Sequence, residues 1–209
     1  MQDTSTTQKP TALLSFIRGA ETSRGYDDNS PDTAITAINV SEHTEASATR
    51  IAIYTDGSAL GNPGPGGWAA LLLRLDADDK VIKKVAISGS GKFITTNIKM
   101  EMTAVAEALK ALGPPTAERV AVYADLEMIS KGVNEWLPGW KARGWRNSAK
   151  KPVENTDLWK DIEAAAAGWN VSWRWVRSHV GHQFNEEADA LAKQAAALAA
   201  SSGVTFADT

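Results

Sequence analysis

Apolar and polar residues alternate over Ile51-Ala-Ile-Tyr-Thr55, a strand signature that runs into Asp56-Gly57-Ser58. The stretch Gly61-Asn-Pro-Gly-Pro-Gly-Gly67 then turns the chain into a second strand at 68–73, and a third strand is predicted at 81–87. Thr96 is placed to cap a helix running to Leu112, on which Met102, Val105, Leu109 and Leu112 recur at helical spacing before Gly113-Pro114-Pro115 ends it. A strand at 119–124 follows, then a helix beginning near Leu126 and an irregular stretch rich in Trp, Lys and Arg. A helix at 157–167, a strand at 170–176 and an Ala-rich helix at 185–200 complete the order βββαβααβα. That order describes an α/β layered domain over 51–200, about 150 residues, a common domain size.

The flanks read differently. Ala12, Leu13, Phe16 and Ile17 make one or two turns of amphipathic helix, and Ser, Thr, Asn, Asp and Gly dominate after them. Residues 1–50 are therefore expected to be an extension, a short helix plus a flexible, mostly disordered linker, and 201–209 a C-terminal tail. A docking peptide for an unknown protein partner and a remnant of another domain with Glu21 as an acid catalyst are the functional alternatives for 1–50.

Charge and composition narrow the function. Lys and Arg total 22 against 25 Asp and Glu, a net charge of -3, which disfavours a uniformly basic nucleic-acid coat and a polybasic membrane binder. Residues 1–50 hold four basic and seven acidic groups, so they carry that whole deficit and the remainder is neutral. With no Cys, a disulfide framework, a thiolate zinc site and a cysteine nucleophile are excluded. No apolar run of bilayer length occurs, and the first residues resemble neither a signal nor a transit peptide. A cytoplasmic, monomeric protein without a membrane partner is the expectation.

Four carboxylates stand apart from the solvated charges. Asp56 and Asp125 end apolar strands, where ligands bind in α/β sheets. Glu101 shares a helical face with Val105, Ala108 and Leu112, and Asp189 falls in the first turns of the last helix, after Ser178-His-Val-Gly-His182. Singly, each suits a cap, a turn or the surface. If the strands are neighbours, however, the four converge, and like charges so close need a cation. All-oxygen ligation suits Mg²⁺, with Mn²⁺ as the alternative, and two such ions about 4 Å apart can drive phosphodiester hydrolysis.

The residues then carry a resemblance. Tyr54-Thr-Asp-Gly-Ser58 with Gly61-Asn-Pro-Gly-Pro-Gly-Gly67, Thr95-Thr-Asn97 with Met100-Glu101, Asp125, Gly139-Trp-Lys-Ala-Arg-Gly-Trp145 with Lys150-Lys-Pro-Val153 and Asp157-Leu-Trp159, and Trp175-Val with His179-Val-Gly-His182 and Asn185-Glu186 before Asp189 resemble a type 1 ribonuclease H of the bacterial kind. The match runs in order over residues 51–200. It implies the ribonuclease H-like fold, a mixed five-stranded sheet flanked by helices. It also implies endonucleolytic cleavage of the RNA strand of RNA-DNA hybrids with two Mg²⁺ or Mn²⁺ ions, leaving a 5′-phosphate and a 3′-hydroxyl. The same resemblance makes Asp56, Glu101, Asp125 and Asp189 the metal ligands and His179 a loop histidine assisting proton transfer or product release. An imidazole exchanges protons near neutral pH, although His179 without the motif would be an ordinary loop residue.

Seven of the eight Trp residues lie between 136 and 175, and Lys141, Arg143, Arg146, Lys150 and Lys151 occupy a window free of acids. Such a basic, aromatic protrusion fits phosphate contact and base or sugar support. Trp169, Trp173 and Trp175 are instead expected in the core. By resemblance, 140–151 (with Trp140) is the handle that grips the duplex, Trp136 and Trp159 lie beside the DNA strand, Thr96 and Asn155 contact phosphates, and Asn62, Asn97 and the backbone of 59–61 read the 2′-hydroxyl. The sequence departs from the family at Ile98 in place of a second Asn, at Ile94 in place of Arg, and at Leu126-Glu127 in place of a polar pair. Retained chemistry with altered affinity or sequence preference is the expectation. A DNA-cutting relative on the same architecture and a non-catalytic hybrid-binding module are the competing readings; the handle and the Gly-Asn-Pro-Gly loop oppose the first, and the intact acids oppose the second.

Overall fold

The computed structural model describes residues 49–177 and 183–203. The expectations for residues 1–48, for the tail beyond residue 203, and for the stretch 178–182 with His179 and His182 lie outside these residues.

Five strands form one sheet: β1 (Arg50–Ala59), β2 (Gly66–Leu75), β3 (Val81–Ser90), β4 (Arg119–Ala124) and β5 (Asn170–Trp175), in the order β3-β2-β1-β4-β5. β1 pairs antiparallel with β2 and parallel with β4, β3 is antiparallel to β2 and β5 parallel to β4, so the sheet is mixed as expected. The helices are α1 (Asn97–Ala111), α2 (Glu127–Lys131), α3 (Leu137–Ala142), α4 (Thr156–Ala166) and α5 (Gln183–Ser201), and a π-helical turn, Gly132–Trp136, joins α2 to α3.

Side-chain alternation along the strands divides the sheet into two faces. Ile51 and Ile53 of β1, Leu72 of β2 and Val120 and Val122 of β4 are 0–1 % exposed and pack with Met102, Val105, Leu109 and Leu112 from α1 and its end, together with Ile162 of α4. The reverse face, with Ala52, Leu73 and Leu75, lies on the side of α5, which packs on β1, β2 and β3. The buried positions of α5 are mainly alanines (188, 192, 195, 196 and 199), small enough for close approach. A Cβ on Gly67 of β2 would sit 2.2 Å from the Ala196 backbone nitrogen, so glycine is needed there.

Three differences from the sequence pattern have a clear physical cause. β3 runs on to Ser90 because its ladder with β2 continues to Gly67, past the last apolar residue of an edge strand with one wet face. β1 also continues beyond Asp56, paired with β2 as far as Ala59, although its parallel pairing with β4 stops at Thr55. The helix expected near Leu126 is broken: Pro138 has no N–H to donate into the preceding turn, and the π-helical turn takes up the interruption.

Candidate active site

Local packing brings the acids together. Thr96 caps α1, its Oγ1 accepting from the Lys99 backbone N–H at 3.3 Å, as its position suggests. Gly57, next to Asp56 on β1, lets α1 lie directly on the strand, since a Cβ there would be 2.1 Å from the Glu101 nitrogen. Glu101 therefore faces the sheet with Val105 and Ala108, 7 % exposed, beside Asp56 at 5 %. Asp125 follows β4, the parallel neighbour of β1, and its carbonyl accepts from the Trp175 indole N–H at 3.0 Å.

One carboxylate oxygen from each of Asp56, Glu101 and Asp125 lies within 4.8 Å of the others. Burial, then the negative charge of Asp125, pushes the Asp56 carboxyl up to about 7. Glu101 rises well above the ordinary carboxylate range for the same causes, burial first and Asp56 next. Its Oε2 is buried with no hydrogen-bond partner. Two desolvated carboxyls beside a third, one with an orphan oxygen, are a donor set that fits a hard divalent cation.

Asp189 stands next to this triad without being part of its compact cluster. Its charge is felt at Asp56, but its Oδ2 accepts from Lys193 Nζ one helical turn away at 2.7 Å. Four acids are thus brought together as a triad plus a neighbour holding a lysine. The i,i+4 spacing of Asp189 and Lys193 is the sequence signal for that pair.

The expected nucleic-acid residues separate into three groups. Lys141, in the last turn of α3, and Arg143, Arg146, Lys150 and Lys151, on the loop after it, are exposed together; Asn147 N–H to Lys151 O at 2.9 Å and Val153 N–H to Trp145 O at 3.0 Å close the loop. Lys141 is ion-paired with Glu163, which reduces its free charge. Trp136 and Trp140 are half-buried with ring centroids 5.6 Å apart, and Trp140 meets Trp159 edge-on at 5.3 Å. The expectation that Trp159 lies against the DNA strand needs correction: at 1 % exposure it is buried against Gly132 and supports Trp140 from beneath. A cavity of about 150 Å³ lies between Ile98, Trp136, Asn155 and Trp159.

Asn62 and Asn97 are tied to each other. The Asn62 side-chain oxygen accepts from the Asn97 backbone N–H at 3.0 Å, and that of Asn97 from the Ala59 N–H at 2.6 Å. Their amide groups hold the glycine-rich loop against the start of α1, and the Ala59 N–H is already used. Of the departures, Ile98 is 40 % exposed, whereas the charge of Glu127 is paired with Lys131 at 3.0 Å. Trp169 is buried and Trp173 packs on the core, but Trp175 is 45 % exposed, which corrects its assignment to the core. Its hydrogen bond to Asp125 has no sequence signal, because nothing in a strand's alternation reports an indole reaching a neighbouring strand's end.

The family model for RNase H matches residues 48–197. A curated ribonuclease H from Polaromonas sp. (strain JS666 / ATCC BAA-500) is 50 % identical over 148 residues, 70 % of this chain and 87 % of the relative. One from Paramagnetospirillum magneticum is 52 % identical over 144 residues, 69 % of this chain and 88 % of the relative. Among solved structures, a type 1 RNase H with the type 2 active-site motif superposes with a TM-score of 0.64 at 34 % identity, over 72 % of this chain and 73 % of its own. A match spanning the whole sheet, both helical layers and all four acids makes this chain a member of the ribonuclease H family.

Proposed function

We propose that the protein is an endonuclease that hydrolyses the RNA strand of RNA-DNA hybrids, leaving a 5′-phosphate and a 3′-hydroxyl. The observation that carries this reading is the triad of buried Asp56 and Glu101 with half-buried Asp125, one oxygen of each lying within 4.8 Å of the others, and an unpartnered Glu101 Oε2. These three, with Asp189, would hold two Mg²⁺ ions, or Mn²⁺, and bound divalent ions supply activation of water and stabilisation of a leaving oxygen.

The remaining work falls to the chain itself. The exposed cations of the handle hold the phosphates of the duplex, and Trp136 and Trp140 offer ring faces to the DNA strand. Thr96 and Asn155 lie where backbone phosphates would pass. Asn62 and Asn97, fixed to one another, present their remaining amide donors to the 2′-hydroxyls. His179 moves a proton between the departing group and solvent. A cytoplasmic setting and a monomeric state belong to the same proposal; the first rests on the lack of Cys.

The test offers the purified chain and Mg²⁺ four labelled substrates in parallel: hybrid, duplex RNA, single-stranded RNA and duplex DNA. Cutting confined to the RNA of the hybrid is expected, and Asp56→Asn should lose cutting while retaining hybrid binding. Cleavage of duplex DNA, or an intact hybrid, would overturn the assignment.

A further inference from the structure

The sheet face that carries α5 is covered only in part. α5 packs on β1, β2 and β3, while the outward residues of β4 and β5 on that side, Arg119, Ala121, Tyr123, Ser172 and Arg174, are half-buried or exposed. With Arg50 of β1 they line a shallow cavity of about 170 Å³. Tyr54 and Tyr123 stack beside it at 4.6 Å and 9°, and Phe184 tilts onto Tyr54 at 5.5 Å, giving an aromatic ledge.

Three guanidinium groups share this cavity. Arg50 is paired with Asp79 at 2.6 Å; Arg119 and Arg174 have no ion-pair partner among the described residues. Glu118, the nearest acid in sequence, pairs instead with Arg74, whose neighbour Leu72 belongs to the opposite face. The Arg50 and Arg119 end of the patch is remote from the acids of the active site: the two are in register, and Arg50 precedes Asp56 by six residues along one strand, about 20 Å at 3.3 Å per residue, whereas Arg174, in register with Tyr123, lies nearer. Substrate binding therefore leaves Arg50 and Arg119 unexplained.

We propose that this face is the docking site for the acidic stretch at residues 21–45 of the same chain. That stretch contains Glu21, Asp27, Asp28, Asp32, Glu42 and Glu45 against Arg24 and His43, and Tyr26 precedes its aspartate pair. Carboxylates match guanidinium groups in bidentate geometry, and a tyrosine beside them suits an aromatic ledge. The chain enters the sheet at Arg50, itself part of the cavity lining, so the acids are tethered at their receptor and bind at high effective concentration. The segment would complete the layer that α5 leaves open over β4 and β5.

The full-length chain has no Cys, so Ser30→Cys accepts a single spin label, read by loss of amide NMR signal elsewhere in the protein. Signal loss is expected at 119–123 and 170–174. It should be reversed by Arg119→Glu with Arg174→Glu, by Asp27→Asn with Asp28→Asn and Asp32→Asn, and by salt near 1 M, where the Debye length is about 3 Å. A dispersed amide spectrum from each variant verifies that it is folded. No loss at those strands, loss that survives charge reversal, or loss centred on the handle at 141–151 would overturn the proposal. So would loss in a mixture of spin-labelled and isotope-labelled molecules, because that would assign the contact to a second copy.

Discussion

A carboxyl that titrates near pH 7 stores a dependence of stability on pH. Asp56 has its ordinary value of 3.8 in the unfolded chain and about 7 in the folded one. The folded state therefore binds the proton more tightly, and this contribution to stability is complete below about pH 4 and lost as pH rises through 7. Glu101 moves in the same direction. Thermal unfolding in chelator should show Tm falling between about pH 4 and 7 from these groups, with a weaker fall in Asp56→Asn; Mg²⁺ should raise Tm more at pH 8 than at pH 5. A Tm in chelator that rises over that window in the wild type but not in Asp56→Asn would count against the cluster. The two indoles at the handle separate in the same way. Trp159→Ala empties a site in the core and should cost about 3–5 kcal/mol of stability. Trp136→Ala should change stability little and weaken hybrid binding by about 1–3 kcal/mol, measured by titration of labelled hybrid.

At the scale of elements, the site depends on how closely α1 lies on β1. Gly57→Ala would put a Cβ 2.1 Å from the Glu101 backbone nitrogen, and a backbone obstacle cannot swing aside as a side chain can. The variant should unfold at lower temperature and lose hybrid cleavage together; unchanged activity would show that the close approach is unnecessary. The orientation of Glu101 is legible in the sequence because its spacing to Val105 and Ala108 is that of a buried helical face. The strands bearing Asp56 and Asp125 are legible for a similar reason, since β1 and the inward positions of β4 are apolar. The π-helical turn is not, because it arises from Pro138 and from Gly132 meeting the Trp159 ring, a contact between segments far apart in the chain. The full length of β3 is hidden for a different reason: hydrogen bonding to β2 extends an edge strand past the end of its apolar pattern.

For the whole molecule, a net charge of -3 and a function on nucleic acid are compatible because charge is partitioned. The cations of the handle are exposed at the end of α3 and on the loop after it, Asp56 and Glu101 are buried between β1 and α1 beside Asp125, and the excess acids of the sequence precede Arg50. Hybrid affinity should then fall with salt, and Lys150→Ala with Lys151→Ala should make that dependence shallower, by roughly one unit of slope for each phosphate no longer neutralised, as read by binding titrations across ionic strength. An unchanged slope would show that these lysines do not meet phosphate. The site's fourth acid is legible at both levels, since chain order brings Asp189 to the triad and its i,i+4 spacing pairs it with Lys193.

The most direct measurement is calorimetric titration of the full-length chain with Mg²⁺ at pH 6 and pH 8 in buffers of different ionisation heat. Saturable binding is expected at both, weaker at pH 6 and accompanied there by proton release, with both signals lost in Asp56→Asn. Magnesium binding that releases no protons at pH 6 and survives both Asp56→Asn and Glu101→Gln would contradict the claim that the buried carboxylates exist to hold divalent cations.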